Sequence, residues 1–172
     1  PPPGDHVYTL AAAPEFASNR MLVAGTATGL YFSFDAGRTW PPRPPLLPTG
    51  YVDDARKIVI SPSYSQDQTI FVLAGLGSGP HRVLRSTDRG STFQQIWQGG
   101  SAYDLVLSPD FVHDGTVFLA TGLMPGPVLR STNRGQSWQA AAEPVDVQPV
   151  MHLALSPAYA TDHPNKVLWF IH

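Results

Sequence analysis

The sequence predicts an all-β protein of short antiparallel strands, and two features of its composition lead to that prediction. The 172 residues include 18 prolines and 15 glycines, the residues that most often interrupt helices and form turns. Of the 13 acidic residues only Glu15 and Glu143 are glutamate, and the others are aspartate, which favours turns where glutamate favours helices. No 3.6-residue hydrophobic periodicity is present, so a solenoid of helix pairs is excluded.

Charge and cysteine content exclude several classes of protein. Only 14% of the residues are charged and the net charge is −2, so no nucleic-acid-binding surface is indicated. The chain has no cysteine, which excludes disulfide scaffolds, zinc–thiolate sites and cysteine nucleophiles. No apolar run approaches the roughly 20 residues of a membrane-spanning helix. The chain begins at Pro1 without a methionine, so a processed or partial chain is expected.

A motif repeats four times along the chain. Its prolines are Pro14, Pro62, Pro109 and Pro157, at spacings of 48, 47 and 48 residues. In each copy an aromatic residue follows the proline by two positions, Asp or Asn follows by five, and a β-prone apolar run comes next. We call this segment the proline motif.

A second motif, the turn motif, occurs three times, at residues 33–40, 86–93 and 131–138, with the pattern S-x-[DN]-x-G-x-[ST]-[WF]. Its glycines are predicted to take positive φ in a tight hairpin turn and are Gly37, Gly90 and Gly135. The acceptors predicted for the turn's own backbone amides are Asp35, Asp88 and Asn133. The aromatic residues predicted to begin the next strand and pack between sheets are Trp40, Phe93 and Trp138.

A period of 47–48 residues matches one four-stranded blade of a β-propeller, for which repeats of about 40–50 residues are typical. The inner strands are predicted at residues 8–12, 57–60, 104–107 and 152–155, and the third strands at 30–34, 83–86 and 128–131. The blades then cover residues 6–50, 51–100, 101–148 and a truncated 149–172. Propellers close with 4–8 blades, so about three and a half blades predict part of a larger, six- to eight-bladed propeller. Further blades or a partner subunit would cover the open sheet edges.

The turn motif resembles the Asp box, or BNR repeat, of sialidase-like β-propellers. The same box occurs in xyloglucanase-type glycoside hydrolases, sortilin-type receptors and photosystem II assembly factors. The resemblance implies a propeller fold and an extracytoplasmic setting, secreted, periplasmic or at the cell surface, in a bacterium. Asn133 and Phe93 depart from the usual Asp and Trp but keep the acceptor and the packing role.

Up-and-down topology places the proline and turn motifs on one face, the turn face. The loops that join the second strand of a blade to the third, and the fourth strand to the first strand of the next blade, lie on the other face, the variable face. Variable loops are where binding sites occur. The candidate binding residues on this face are Asp53, Asp54, Arg56, Lys57, Tyr103, Asp104 and His152. A solvated channel rim is the alternative interpretation. Asp54 and Asp104 are the candidates for a glycosidase carboxylate pair.

Metal and cofactor sites are not predicted. The six histidines lack ligand spacing, and no nucleotide-binding motif occurs. Structural calcium is the one ion left open, because propeller loops offer carboxylates and carbonyls. A sialidase's three-arginine clamp is not expected either, because Arg38, Arg89 and Arg134 lie within the turn motifs, on the turn face.

Three hypotheses for function follow. The first is a non-catalytic recognition or scaffold propeller that binds a protein or a glycan across its variable face. The second is a fragment of a sialidase-like or xyloglucanase-like glycoside hydrolase. The third, by resemblance to the assembly factors, is an accessory or assembly subunit of a membrane protein complex.

Overall fold

The computed structural model describes residues 6–41, 54–75, 79–122, 128–141, 150–159 and 168–171. Within them the chain forms four antiparallel sheets. The first sheet contains β1 (Val7–Ala12), β2 (Leu22–Thr26) and β3 (Gly29–Ser33). The second contains β4 (Ala55–Ile60), β5 (Ile70–Gly75), β6 (His81–Ser86) and β7 (Gln94–Gly99). The third contains β8 (Ala102–Leu107), β9 (Val117–Thr121), β10 (Val128–Ser131) and β11 (Gln139–Ala140), and the last β12 (His152–Leu155) and β13 (Leu168–Ile171).

The sheets pack face to face in chain order, with β1 against β4, β4 against β8 and β8 against β12. Each sheet runs outward from its inner strand in sequence order, which is the arrangement of propeller blades. The all-β prediction and the partial β-propeller are confirmed. The blade boundaries stay a prediction.

The core lies between blades, and β5 shows how the sequence produces it. Ile70 and Val72 belong to the apolar cluster shared with the first sheet, whereas Phe71 and Leu73 belong to the cluster shared with the third. Successive side chains of a strand point to opposite faces. A strand covered on both sides is therefore a continuous apolar run, and every residue of β5 is buried.

Each described copy of the proline motif but the fourth contains a one-turn helix that the sequence analysis missed: α1 (Phe16–Asn19), α2 (Tyr64–Asp67) and α3 (Phe111–Asp114). The Ser61 hydroxyl donates to the Asp67 carboxylate at 2.7 Å, and Ser108 to Asp114 at 2.6 Å, each bond closing the turn. The sequence signal for α2 and α3 was the serine that stands six residues before the aspartate. Asp67 and Asp114 also accept the amides of Thr69 and Thr116, as turn acceptors should.

Phe93 and Trp138 precede the fourth strands of their blades, β7 and β11, by one residue instead of beginning them. Phe93 packs on the cluster between the first two sheets, and Trp138 donates its indole N–H to Ile96 O of the preceding sheet at 3.3 Å. Trp40 donates within its own turn, to Gly37 O at 3.1 Å. Asp53, Glu143 and the end of the fourth blade at His172 lie outside the described residues. None of the helices described here is long and apolar enough to cross a membrane.

Candidate functional site

The turn face is held together by backbone hydrogen bonds between the two motifs. The amides of Ala36, Arg89 and Arg134 donate to Arg20 O, Gln68 O and Gly115 O at 3.0, 3.3 and 2.9 Å. These bonds place each turn motif beside the proline motif of its own blade, as up-and-down topology predicts.

The turn motif itself is a repeated hydrogen-bond network. In the second copy, Ser86 Oγ donates to Asp88 Oδ1 at 2.7 Å and accepts the Gly90 amide at 2.8 Å. Hydrogen bonds from the Thr92 hydroxyl and backbone amide lower the pKa of Asp88 to about 2. The first copy is alike, and the pKa of Asp35 is also lowered to about 2. These aspartates are engaged in holding their turns.

The third copy of the turn motif keeps this hydrogen-bond geometry, with the side-chain amide of Asn133 in place of the aspartate carboxylate. Asn133 accepts the Ser137 amide at 2.9 Å and donates from Nδ2 to the Ser137 hydroxyl at 2.8 Å. In all three copies the glycine has a φ of 79–85°, a left-handed backbone conformation that residues with a side chain rarely adopt.

On the variable face, the inner strands of the first three blades share a feature that the sequence analysis did not predict. The pairing of β8 with β9 steps from Ala102 opposite Thr121 to Asp104 opposite Ala120, which leaves Tyr103 as an extra residue. The same shift leaves Arg56 extra on β4 and Tyr8 extra on β1. These are β-bulges, which re-aim side chains. They explain why β4 and β8 begin two residues before the predicted starts.

The bulged residues present their side chains to solvent. Tyr8 is 49% exposed and Tyr103 38%, and the side chain of Arg56 is 40% exposed. Arg56 Nε donates to Gly75 O at 3.2 Å, while the Tyr103 ring covers Gly122 so closely that an added Cβ would meet it at 2.4 Å.

The residue after the bulge in the second and third blades, Lys57 and Asp104, belongs to a polar row that continues to His152 of the fourth blade. The carboxylate of Asp104, a residue only 2% exposed, receives Lys57 Nζ at 2.8 Å and the Leu153 amide at 3.0 Å. His152 Nδ1 lies 3.8 Å from the same carboxylate. The row forms because these residues occupy one position of the repeat, five before the proline.

The structure thus brings together three of the predicted binding residues, Lys57, Asp104 and His152, and places Tyr103 and Arg56 beside them on the bulges. Asp54 pairs with Arg56 at 3.8 Å. Both candidate catalytic carboxylates, Asp54 and Asp104, therefore face cations. Among the described residues no group of three or more His, Asp or Glu could hold a metal ion.

Sequence reasoning left out two residues here. Tyr8 is the first-blade counterpart of Tyr103, and its position in the repeat was the available signal. His81, only 2% exposed, accepts the Ala102 amide at 2.9 Å and so ties the second sheet to the third. A lone histidine at a loop end carried no signal for that contact.

No protein-family model and no curated protein sequence matches the chain. Two solved β-propeller structures are similar to it. One is an ancestral GH74 enzyme, with a TM-score of 0.67 and 24% identity over 88% of this chain and 21% of that chain. The other is the soluble aldose sugar dehydrogenase of Escherichia coli, with a TM-score of 0.62 and 18% identity over 96% of this chain and 56% of that chain. At these identities the likeness shows the fold alone.

Proposed function

We propose that the chain is a segment of an Asp-box propeller that works outside the cytoplasm as a non-catalytic recognition module, binding a glycan across its variable face. The observation that carries the proposal is the bulge repeated in register in three blades. It turns Tyr8, Arg56 and Tyr103 outward at one level of the fold. The repeated turn geometry supports the Asp-box assignment, and the extracytoplasmic setting comes from that resemblance.

The chemistry of the bulged residues supports a glycan. A tyrosine offers an apolar ring with a polar tip, which suits the apolar face and hydroxyl groups of a sugar. Arg56 adds hydrogen-bond donors between the two tyrosines in the order of the blades. The charges nearby are balanced, since Lys57 meets Asp104 and Arg56 meets Asp54. A neutral polysaccharide therefore suits this face better than a strongly charged partner.

The occupied carboxylates argue for binding over hydrolysis. A glycosidase needs one carboxyl group free to protonate the leaving oxygen and a second free to act as nucleophile or base. Asp104 receives Lys57 and two backbone amides, those of Leu105 and Leu153, and Asp54 faces Arg56. Each candidate is thus paired with a cation, which favours binding over hydrolysis.

Affinity electrophoresis in gels containing xyloglucan, xylan or mixed-linkage β-glucan tests the proposal. We expect retardation by at least one polysaccharide, and about a fivefold to tenfold weaker interaction for Tyr103→Ala and for Arg56→Ala, equivalent to roughly 1–1.4 kcal/mol. Gln66→Ala, at an exposed position of α2 on the turn face, is the matched control and should bind like the wild type.

Three results would overturn the proposal. One is retardation that neither Tyr103→Ala nor Arg56→Ala alters. Another is release of reducing sugar that Asp104→Asn or Asp54→Asn abolishes, which would establish the hydrolase hypothesis. The third is binding of a protein ligand in place of every polysaccharide, which would replace the glycan assignment.

A further inference from the structure

Two arginines meet on the turn face between the second and third blades. Arg85 of β6 donates from Nη1 to the backbone oxygen of Arg134 at 2.7 Å. Arg134 donates from Nη2 to Val112 O at 2.8 Å, and its guanidinium lies 5.7 Å from the centre of the Phe111 ring. All the acceptors of these bonds are neutral, so the contacts hold both cations in place without cancelling their charge.

No acidic side chain in the described part of the chain forms an ion pair with either arginine. Among the described residues the ion pairs involve Arg56, Lys57, His113 and His152, and neither Arg85 nor Arg134. Arg85 Nε is buried and has no hydrogen-bond partner. Burial, and then the nearby charge of Arg134, lower the pKa of Arg85. A partly buried cation without a counter-ion is unfavourable, and a bound anion would relieve it.

A groove of about 380 Å³ opens beside this guanidinium, and we call it the Arg85 groove. Its other lining residues are Gln94, Gln95, Ile96, Gly135 and Gln136. Three of them carry primary amides, which both donate and accept hydrogen bonds. Ile96 adds an apolar wall. The groove thus combines one site for a carboxylate with several for hydroxyl groups.

We propose that the Arg85 groove binds a carboxylate-bearing sugar, a hexuronate unit, on the opposite face from the proposed glycan site. The guanidinium of Arg85 receives the carboxylate, since the planar fork of arginine matches that group. The glutamine amides bind the ring hydroxyls, and Ile96 contacts the apolar face of the ring. An acidic peptide would use the same cation, so a peptide is one arm of the test.

The third blade provides a matched control within the molecule. Arg130 occupies the same position of the repeat, and its Nε is likewise buried without a partner. Its guanidinium lies 5.8 Å from the centre of the Phe118 ring. The groove beside it measures only about 130 Å³. We therefore expect Arg130 to offer the same positive charge as Arg85, but its groove to have no room for a sugar ring.

Titration of the full chain with D-glucuronate, followed by NMR chemical shifts or calorimetry, tests the inference, with D-glucose, inorganic phosphate and a glutamate-rich peptide as the other arms. We expect saturable glucuronate binding that weakens with added salt, at least tenfold weaker binding by Arg85→Gln, and less than a twofold change for Arg130→Gln. Glucose, phosphate and the peptide should each bind at least tenfold more weakly.

The inference fails if glucuronate does not saturate, if Arg85→Gln binds it as the wild type does, or if phosphate or the peptide binds as well, since the groove would then be a general anion site. Should Arg85→Gln not fold, Gln94→Ala replaces it, with Gln66→Ala of α2, which lies outside the groove, as control. Tyr103→Ala should leave glucuronate binding unchanged, so failure here is distinct from failure of the variable-face proposal.

Discussion

The two faces of this propeller segment repeat in different ways. On the turn face both the backbone and the side chains repeat: Ser86 and Asp88 of the second blade make the same bonds as their counterparts in the first. On the variable face only the backbone repeats. The same bulge carries a tyrosine, an arginine and then a tyrosine in successive blades.

The difference separates structural from functional demands. Every blade must close the same turn and pack on its neighbour, so each copy of the turn motif needs nearly the same side chains. A bulge needs only an extra residue, and it leaves the identity of that residue free. A constant backbone with changing side chains is therefore compatible with the binding surface that we propose.

Substitution of Gly90 tests the structural role of the turn face most severely. Gly90 has a φ of 79°, and an added Cβ would meet Phe32, a fully buried ring of the first blade, at 2.4 Å. We expect Gly90→Ala to lower the free energy of unfolding by about 3 kcal/mol or more, from backbone strain and overpacking together. Denaturant unfolding measures the loss.

The matched control is Gly37→Ala, at a φ of 85° in the first turn, where an added Cβ would meet nothing closer than 3.3 Å. Gly37→Ala introduces backbone strain without a steric clash, so the free energy of unfolding should fall by only about 1 kcal/mol. Equal losses for the two variants would show that contact between blades at Gly90 is unimportant.

Substitution of the adjacent cations Lys57 and Arg56 on the variable face should lower the free energy of unfolding by a smaller amount. Lys57→Met leaves the carboxylate of Asp104, whose side chain is 3% exposed, with two backbone amides and with His152 at 3.8 Å, and should cost about 1–3 kcal/mol. Arg56→Met removes a partly exposed pair at 3.8 Å and should cost less than about 1 kcal/mol. Thermal or urea unfolding of the two variants gives the comparison, and the reverse order would contradict the polar row.

Acid stability distinguishes the aspartate turns from the asparagine turn. The pKa of Asp88 falls from 3.8 to about 2 in the folded state, so folding is favoured fully above pH 3.8 and the contribution is lost as the pH falls through 2. Asp88→Asn makes the second turn like the third and should give a shallower decline of the melting temperature between these pH values. An unchanged pH profile would contradict the role assigned to Thr92.

The smallest stability effect is expected where the proposed binding effect is large. Tyr103→Ala removes a side chain that is 38% exposed and covers Gly122, so the free energy of unfolding should change by about 1 kcal/mol or less. A loss of several kcal/mol would make Tyr103 a packing residue and weaken the case for a binding surface.

Much of the fold could be predicted from spacing. Proline motifs 47 or 48 residues apart predicted the four successive sheets of this chain. The glycines of the turn motif predicted the positions of positive φ. The short helices were missed because each is a single turn. In α2 and α3 the bond that closes the turn joins a serine and an aspartate six residues apart, such as Ser61 and Asp67, and the first copy has Ala13 and Asn19 at these positions. That pattern is weaker than any hydrophobic periodicity.

The candidate site was only partly predictable. Position in the repeat selected Lys57, Asp104 and His152 before their contacts were known. It could not reveal that Asp104 is occupied by Lys57, nor that Arg85 and Arg134 approach each other, because these contacts join different blades. Their geometry depends on how neighbouring sheets twist and pack.

By itself the sequence determined the period, the order of strands within each blade and the closure of every turn, because these depend on residues close together in the chain. Tertiary structure decided which side chains meet across blades, which carboxylates stay free and which cations lack partners. The physical reason is distance along the chain: a hydrogen bond within a turn is encoded by its own few residues. Asp104 and Leu153, 49 positions apart, meet only once two sheets have packed.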